Sequence, residues 1–433
     1  MQDDTTNREI ARRRLLQMTG AGLTAGLAGC AGGGGGGGGG SGPTTIGYRD
    51  RGDSYAAYAH KYDNNTEGVE IEYTVANDRY QGILPKIKAG QPIQEVLGVD
   101  IVQFPKMVEL GALRDISDFY SSLEYTDDFL GRTDPLFTTW NDSKYAVPFW
   151  IDLSLMFYNK KQFRQAGLDP ESPPQTWSEL EQALKTLQSV NKDRPPLGAS
   201  FASGLSEFFF LPYAWSNGGG WFSDGNRNKV TIGSQPNVEA LEFWVDINEQ
   251  GLATDLVSTQ WMNWHNMFVN EDVPIMFSGG FGLGHVKDNN SEMFNNYLGT
   301  AMFPSPEGGT RSSFLGGNNL AITTSAEGDK LAAAKEFVRW VNTEPGMKTT
   351  LDLGYMPGRQ TGFNVGIATE EPFNTLFGPF ETALKQGRVP IHPKFEEIAL
   401  PIRSAIQKAL SGKASAESAL MQAQQKINSD VLG

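Results

Sequence analysis

A single cysteine, Cys30, is all that the 433 residues contain, so no internal disulfide can form and the fold must rest on its apolar core. Histidine is nearly as scarce. His60, His265, His285 and His392 occur without the HExxH pattern or any Cys/His spacing that would hold a metal, and they read as structural or surface residues. The nucleophile pattern GxSxG and the phosphate loop GxxxxGK[ST] are missing. Residues 279–284 fail the dinucleotide fingerprint because His285 stands where its last glycine belongs. No catalytic residue, cofactor or metal is therefore expected. A glycoside hydrolase, which needs only two suitably spaced carboxylates, is the one enzyme class the motifs leave open. Positive charge is also short. With 36 basic against 50 acidic residues, a net charge of -14 and a pI near 4.9, the chain lacks the basic stripe that nucleic acid requires. Such a surface suits a protein that stays dissolved in high salt.

Glycine, by contrast, is abundant, and nine glycines run consecutively over residues 32–40. Such a run buries nothing that could offset its ordering entropy, so residues 30–43 read as a flexible tether. Ahead of it, Arg12-Arg13-Arg14-Leu15-Leu16-Gln17 resembles a twin-arginine export motif, followed by an apolar stretch over residues 18–28 too short to cross a bilayer. Leu27-Ala28-Gly29-Cys30 resembles a lipobox. Residues 1–29 are thus expected to be a lipoprotein signal, with Cys30 lipid-anchored on the outer face of the cytoplasmic membrane. Its removal leaves 47 acidic and 32 basic residues, a net charge of -15. No other stretch reads as a membrane span.

From residue 44 the chain alternates in a βαβ rhythm that predicts an α/β fold. Strands are expected at 44–48, 69–75 and 99–104, with helices at 54–64, 80–89 and 107–111. Ligands sit beyond the carboxyl ends of such strands, which makes residues 48–53, Tyr48 first among them, and the neighbourhood of Phe104 candidate rim positions. Two apolar runs, 145–151 with Trp150 and 153–158, meet at Asp152, a carboxylate costly to bury unless something hydrogen-bonds to it. A short helix at 160–166 ends at Gly167. Pro170, Pro173 and Pro174 impose an extended linker, and Thr176 with Glu179 forms a capping box for the next helix. Farther on, strands are expected at 298–306 and 314–323. Trp177, Trp244 and Trp340 fall on helix faces and are assigned to packing. Trp215 and Trp221 flank Asn217-Gly218-Gly219-Gly220, and Trp261 and Trp264 precede a helix; all four, in or near loops, are candidates to stack on a ligand.

The succession YAVPFWIDLSLMFYNK and AGLDPESPPQTW resembles the extracellular solute-binding proteins of ABC importers, in particular their sugar-binding family. AGQPIQEVLGVDIVQF, PIMFSGGFGLG, LGGNNLAI, LDLGYMPGR and the terminal helices extend the resemblance over most of the chain beyond residue 46. It implies a two-lobed α/β fold of the type II periplasmic-binding-protein kind, hinged between discontinuous lobes, 44–152 with 317–363 and 153–316 with 364–433. It implies a monomeric, non-enzymatic binding protein that captures a sugar between the lobes and delivers it to an ABC permease. In this likeness Asp152 accepts hydrogen bonds from sugar hydroxyls and Phe281 stacks on the ring where the family commonly has tryptophan. Asn318, Tyr355 and Arg359 are placed near the cleft, and Ala399 replaces the aromatic platform of maltose-binding members. The alternatives are a binder of glycerol 3-phosphate or glycerophosphodiesters, whose members share AGLDPESPPQTW and GYMP, and a secreted glycosidase.

Overall fold

Two β-sheets organise the chain. A computed structural model describes residues 42–433 apart from 77–79, 131–132, 203–205, 224–225 and 261. Cys30, the arginine motif, the glycine run and Trp261 lie outside the described residues. The main strands of the two sheets are β1 (Thr44–Asp50), β2 (Val69–Val75), β3 (Val96–Asp100), β4 (Val147–Leu153), β5 (Leu155–Asn159), β6 (Leu197–Gly198), β7 (Ile275–Ser278), β8 (Leu298–Ala301), β9 (Ser313–Ile322) and β10 (Met356–Pro357), with the short strand Gly387–Arg388 pairing beside β9. The larger sheet has the order β10-β4-β9-β3-β1-β2, and the smaller the order β8-β5-β7-β6.

In the larger sheet β1 runs parallel to β2 and β3, whereas β9 lies antiparallel between β3 and β4. All ten residues of β9 are buried, as a central strand flanked on both sides requires. β1 instead alternates, turning Ile46, Tyr48 and Asp50 inward. A register shift between Asn318 and Asn319 leaves Phe149 as an extra residue of β4, and the Phe149 carbonyl accepts from the Gly358 amide at 3.0 Å.

Local signals place most elements. Asn159 Oδ1 accepts from the Lys161 and Gln162 amides to start the helix Lys160–Gln165, and Gly167 leaves it at φ 75°. The capping box is present: Thr176 Oγ1 accepts from the Glu179 amide at 3.2 Å, and Glu179 reaches back to the Thr176 amide at 3.2 Å.

Several expectations need correction. The third strand is β3, ending at Asp100, and Phe104 opens the helix Phe104–Glu109, whose first turn tolerates Pro105. The helix expected at 80–89 is confined to Leu84–Lys88, and the strand expected at 298–306 shortens to β8. Trp215 belongs to the helix Ser206–Ser216 and Trp264 to the helix Asn263–Val269, so neither stands in a loop. Ser206–Ser216 is apolar nearly all round and buried. A helix with no polar face has no amphipathic period to betray it. Among the described residues no helix is long and apolar enough to cross a membrane.

Candidate ligand-binding site

The parallel strands β1 and β3 end side by side, and the residues at their carboxyl ends carry charge. Asp50 closes β1 and is 2% exposed. Its carboxylate accepts from the Tyr48 hydroxyl at 2.6 Å, the Arg51 amide at 2.7 Å, and Asn318 Nδ2 at 3.0 and 3.1 Å. It lies against Gly98 of β3, where a Cβ atom would fall 1.8 Å from Asp50 Oδ2, so only glycine leaves room for it. Burial raises the Asp50 carboxyl to about 6, against the lowering effect of the Tyr48 hydrogen bond and the Arg51 charge.

Arg51, one residue on, pairs with Asp100 at the end of β3, Nη1 to Oδ2 2.8 Å, and its guanidinium stands 5.2 Å from the Trp150 ring centre. Trp150 in β4 stacks on Tyr355 with centroids 4.4 Å apart, and Tyr355 stacks in turn on Tyr55 at 5.7 Å. An aromatic wall thus stands beside a cation paired with a carboxylate. Trp150 is buried, and its indole N–H has no hydrogen-bond partner. Arg51 and Tyr355 keep part of their surface open.

Asp152, two residues beyond Trp150, connects the two sheets. Its Oδ1 accepts from the Gly280 amide at 2.5 Å and from its neighbour Leu153 at 2.9 Å. Gly280 lies in the turn after β7 of the smaller sheet. A Cβ on Gly279 would sit 2.5 Å from Asp152 Oδ2 and 2.8 Å from the Phe281 ring, so the glycine turn is moulded to the carboxylate and the ring. Burial raises Asp152 to about 6. The Gly280 and Leu153 amides and the Arg51 charge act the other way. Behind Phe281, His265 is buried with Nε2 2.8 Å from Ser278 Oγ, and burial lowers it to about 3, so the imidazole is neutral.

Of the residues singled out in the sequence, Asp152, Trp150, Phe281 and Tyr355 come together here, and Tyr48 and Asn318 stand behind them holding Asp50. The others are committed elsewhere. Phe104 is fully buried with Leu97, Val99 and Met107. Trp215 stacks on Phe314 and Trp221 packs on Phe395. The Trp264 indole donates to the Phe277 carbonyl at 2.9 Å inside the core. Arg359 binds Asp128 through Nε at 2.7 Å and covers the Tyr125 ring at 4.4 Å. These five take packing or scaffolding places, because a large flat or forked side chain serves a core or an ion pair as readily as a ligand. Asp50 and Arg51 fall within the expected rim stretch 48–53, whereas Tyr55, Asp100, Gly279 and Gly280 were not named for ligand binding. The signal for the first four was their place at or just past the ends of parallel strands. Among the described residues no cluster of three metal-ligating side chains occurs.

The description of bacterial extracellular solute-binding proteins matches residues 47–348. The chain belongs to that family. Its fold is the two-lobed α/β fold of the periplasmic binding proteins. An ABC transporter solute-binding protein from Thermotoga lettingae, solved bound with α-D-tagatose, superposes with a TM-score of 0.79 at 21% identity over 90% of this chain and 100% of its own. An arabinooligosaccharide-binding protein from Halalkalibacterium halodurans is 24% identical over 75% of this chain and 72% of its own length. The sn-glycerol-3-phosphate-binding periplasmic protein UgpB from Pectobacterium atrosepticum is 23% identical over 65% of each chain, so the match spans just under two thirds of that relative. Solute-binding proteins bind without turning over, and the chain is a binding protein rather than an enzyme.

Proposed function

We propose that the chain captures a saccharide between two lobes, residues 44–152 with 317–363 and residues 153–316 with 364–433, and hands it to the permease of an ABC importer. The observation that carries this reading is Asp152, a carboxylate of the larger sheet bound to a backbone amide beyond the smaller one. Arg51, Trp150, Tyr355 and Phe281 surround it. Sugars present hydroxyls that donate to carboxylates and CH faces that lie on aromatic rings, and this group offers both. A ligand touching both lobes favours the closed arrangement by its differential contacts, which a permease can read.

Charge argues against a phosphate ligand. Asp50, Asp100 and Asp152 gather around Arg51, which is already paired with Asp100. A phosphate about 4 Å from one of these carboxylates, at an effective dielectric near 20, meets repulsion on the order of 4 kcal/mol. The named specificity of the UgpB relative keeps glycerol 3-phosphate as the competing outcome.

The test is calorimetric titration of wild type and Asp152→Ala with D-tagatose, maltose, arabinotriose and sn-glycerol 3-phosphate. The wild type should bind a sugar stoichiometrically and leave it unaltered, and the variant should bind it at least ~10-fold more weakly with its circular dichroism unchanged. Equal affinities would remove Asp152 from the site. Tighter binding of glycerol 3-phosphate than of any sugar would overturn the ligand class. The reading extends to the membrane, with residues 1–29 as a twin-arginine lipoprotein signal, Cys30 as the anchor and residues 30–43 as the tether.

A further inference from the structure

Two backbones meet without side chains at Gly284 and Gly354. Gly284 is the third residue of the helix Gly282–Asn289, which packs on the helix Asn263–Val269 beside the smaller sheet. Gly354 lies between the helix Glu344–Asp352 and β10 of the larger sheet, at φ 80°. A Cβ on Gly284 would fall 2.9 Å from Gly354 Cα, and one on Gly354 would fall 2.9 Å from Gly284 Cα and 3.3 Å from Gly284 N. The obstructing atoms are main chain, so no rotamer change relieves the clash. Other contacts link the same two parts of the chain. The Gly280 amide bonds Asp152, Gln103 Nε2 donates to Glu396 Oε1 at 3.0 Å, and Lys106 pairs with Glu397 at 3.1 Å. These ties are polar and sit on side chains that can swing, or on one amide. At the glycine pair, by contrast, main chain meets main chain.

We propose that Gly284 and Gly354 set how far the cleft closes, acting as a side-chain-free stop that lets the two lobes reach the arrangement in which Asp152 meets Gly280. The proposal rests on the reading of the chain as a two-lobed capture protein. Gly354 is a poor place to test it, because any L side chain is strained at its positive φ. Gly284 is a good one. It is helical with no positive φ, and a helix interior favours alanine over glycine, so Gly284→Ala should leave the lobe that carries it as stable as before or more so. Only the approach of the lobes is obstructed.

The experiment uses the full chain with Cys30→Ser, carrying spin labels at Glu67→Cys and Lys192→Cys, two exposed positions next to the larger and smaller sheets respectively. Distances are read without ligand and with D-tagatose, maltose and arabinotriose, alongside affinity and circular dichroism. The wild type should move to the closed distance with a sugar that binds. Gly284→Ala should keep its spectrum, bind that sugar at least ~10-fold more weakly and fail to reach the closed distance. Equal affinity together with the same closed distance overturns the proposal. If no probe binds the wild type, the saccharide reading falls and the ligand-free distances decide. Loss of the closed population in Gly284→Ala then upholds the contact, and identical distributions overturn it.

Discussion

Asp50 and Asp152 each stand near 6 where an ordinary aspartate stands at 3.8, and burial is the first cause in both. The folded chain therefore takes up these protons more readily than the unfolded one. The stability they contribute is fully present below pH 3.8 and is lost as pH rises through 6. For Asp50, at 2% exposure, the contribution gained from pH 7.5 to 5 is about 1 kcal/mol. Buried His265, lowered to about 3, with His285 and His392 also held below their usual range by burial, acts oppositely over the same interval, so the Asp50 contribution is read as the difference between wild type and Asp50→Asn. Ligand binding should run the other way. A charged Asp152 accepts from hydroxyls better than a protonated one, so the ligand-induced rise in melting temperature should shrink over the same interval. Thermal melts at pH 7.5, 6 and 5, with and without the best-bound sugar, check both signs. A ligand shift that grows on acidification would contradict a hydroxyl-accepting Asp152.

At the scale of elements, the termini of helices carry local chemistry that can be tested away from the cleft. The Thr176 and Glu179 capping box begins the helix Trp177–Val190, whose apolar face buries Leu180, Ala183, Leu184 and Leu187. Thr176→Ala should cost about 1 kcal/mol in urea unfolding without changing ligand affinity, since nothing in the site touches it. An unchanged midpoint would show the cap to be solvent-compensated. The glycine turn after β7 behaves differently: Gly279 and Gly280 are confined by Asp152, Phe281 and Phe380 rather than by a helix end. One turn serves its own helix, and the other joins two sheets.

For the whole molecule, capture and attachment are separable. The proposed ligand group lies within residues 48–355, outside the segment 1–43 read as signal and tether. Cys30→Ser is expected to release the protein from membranes, or stall its processing, while purified protein keeps the sugar affinity of the wild type. Fractionation of expressing cells followed by titration measures both, and full membrane retention of exported Cys30→Ser protein would defeat the anchoring proposal. A net charge of -14 adds a long-range repulsion that salt screens, which favours solubility and leaves a ligand without charge nearly unaffected.

Much of this was legible from residues alone, because caps, strand alternation and the βαβ rhythm are set by neighbours a few positions apart. Thr176 with Glu179 and the conspicuous Asp152 between apolar runs needed no tertiary information, whereas Tyr48, expected at the rim, is buried behind Asp50. The α/β class followed from such local order, and the family likeness from the motifs that resemble it. Only the tertiary structure decided which aromatic residues gather around Asp152. Trp215 and Trp264 are consumed by packing, whereas Trp150 is aligned with Tyr355 by a pairing over 200 residues of chain. The partners of Arg51 were likewise hidden, since Asp100 and Trp150 reach it from different strands. Gly284 and Gly354 were invisible as a pair for the same reason. A glycine states locally that a side chain is absent, and only the approach of a distant backbone says why its absence matters.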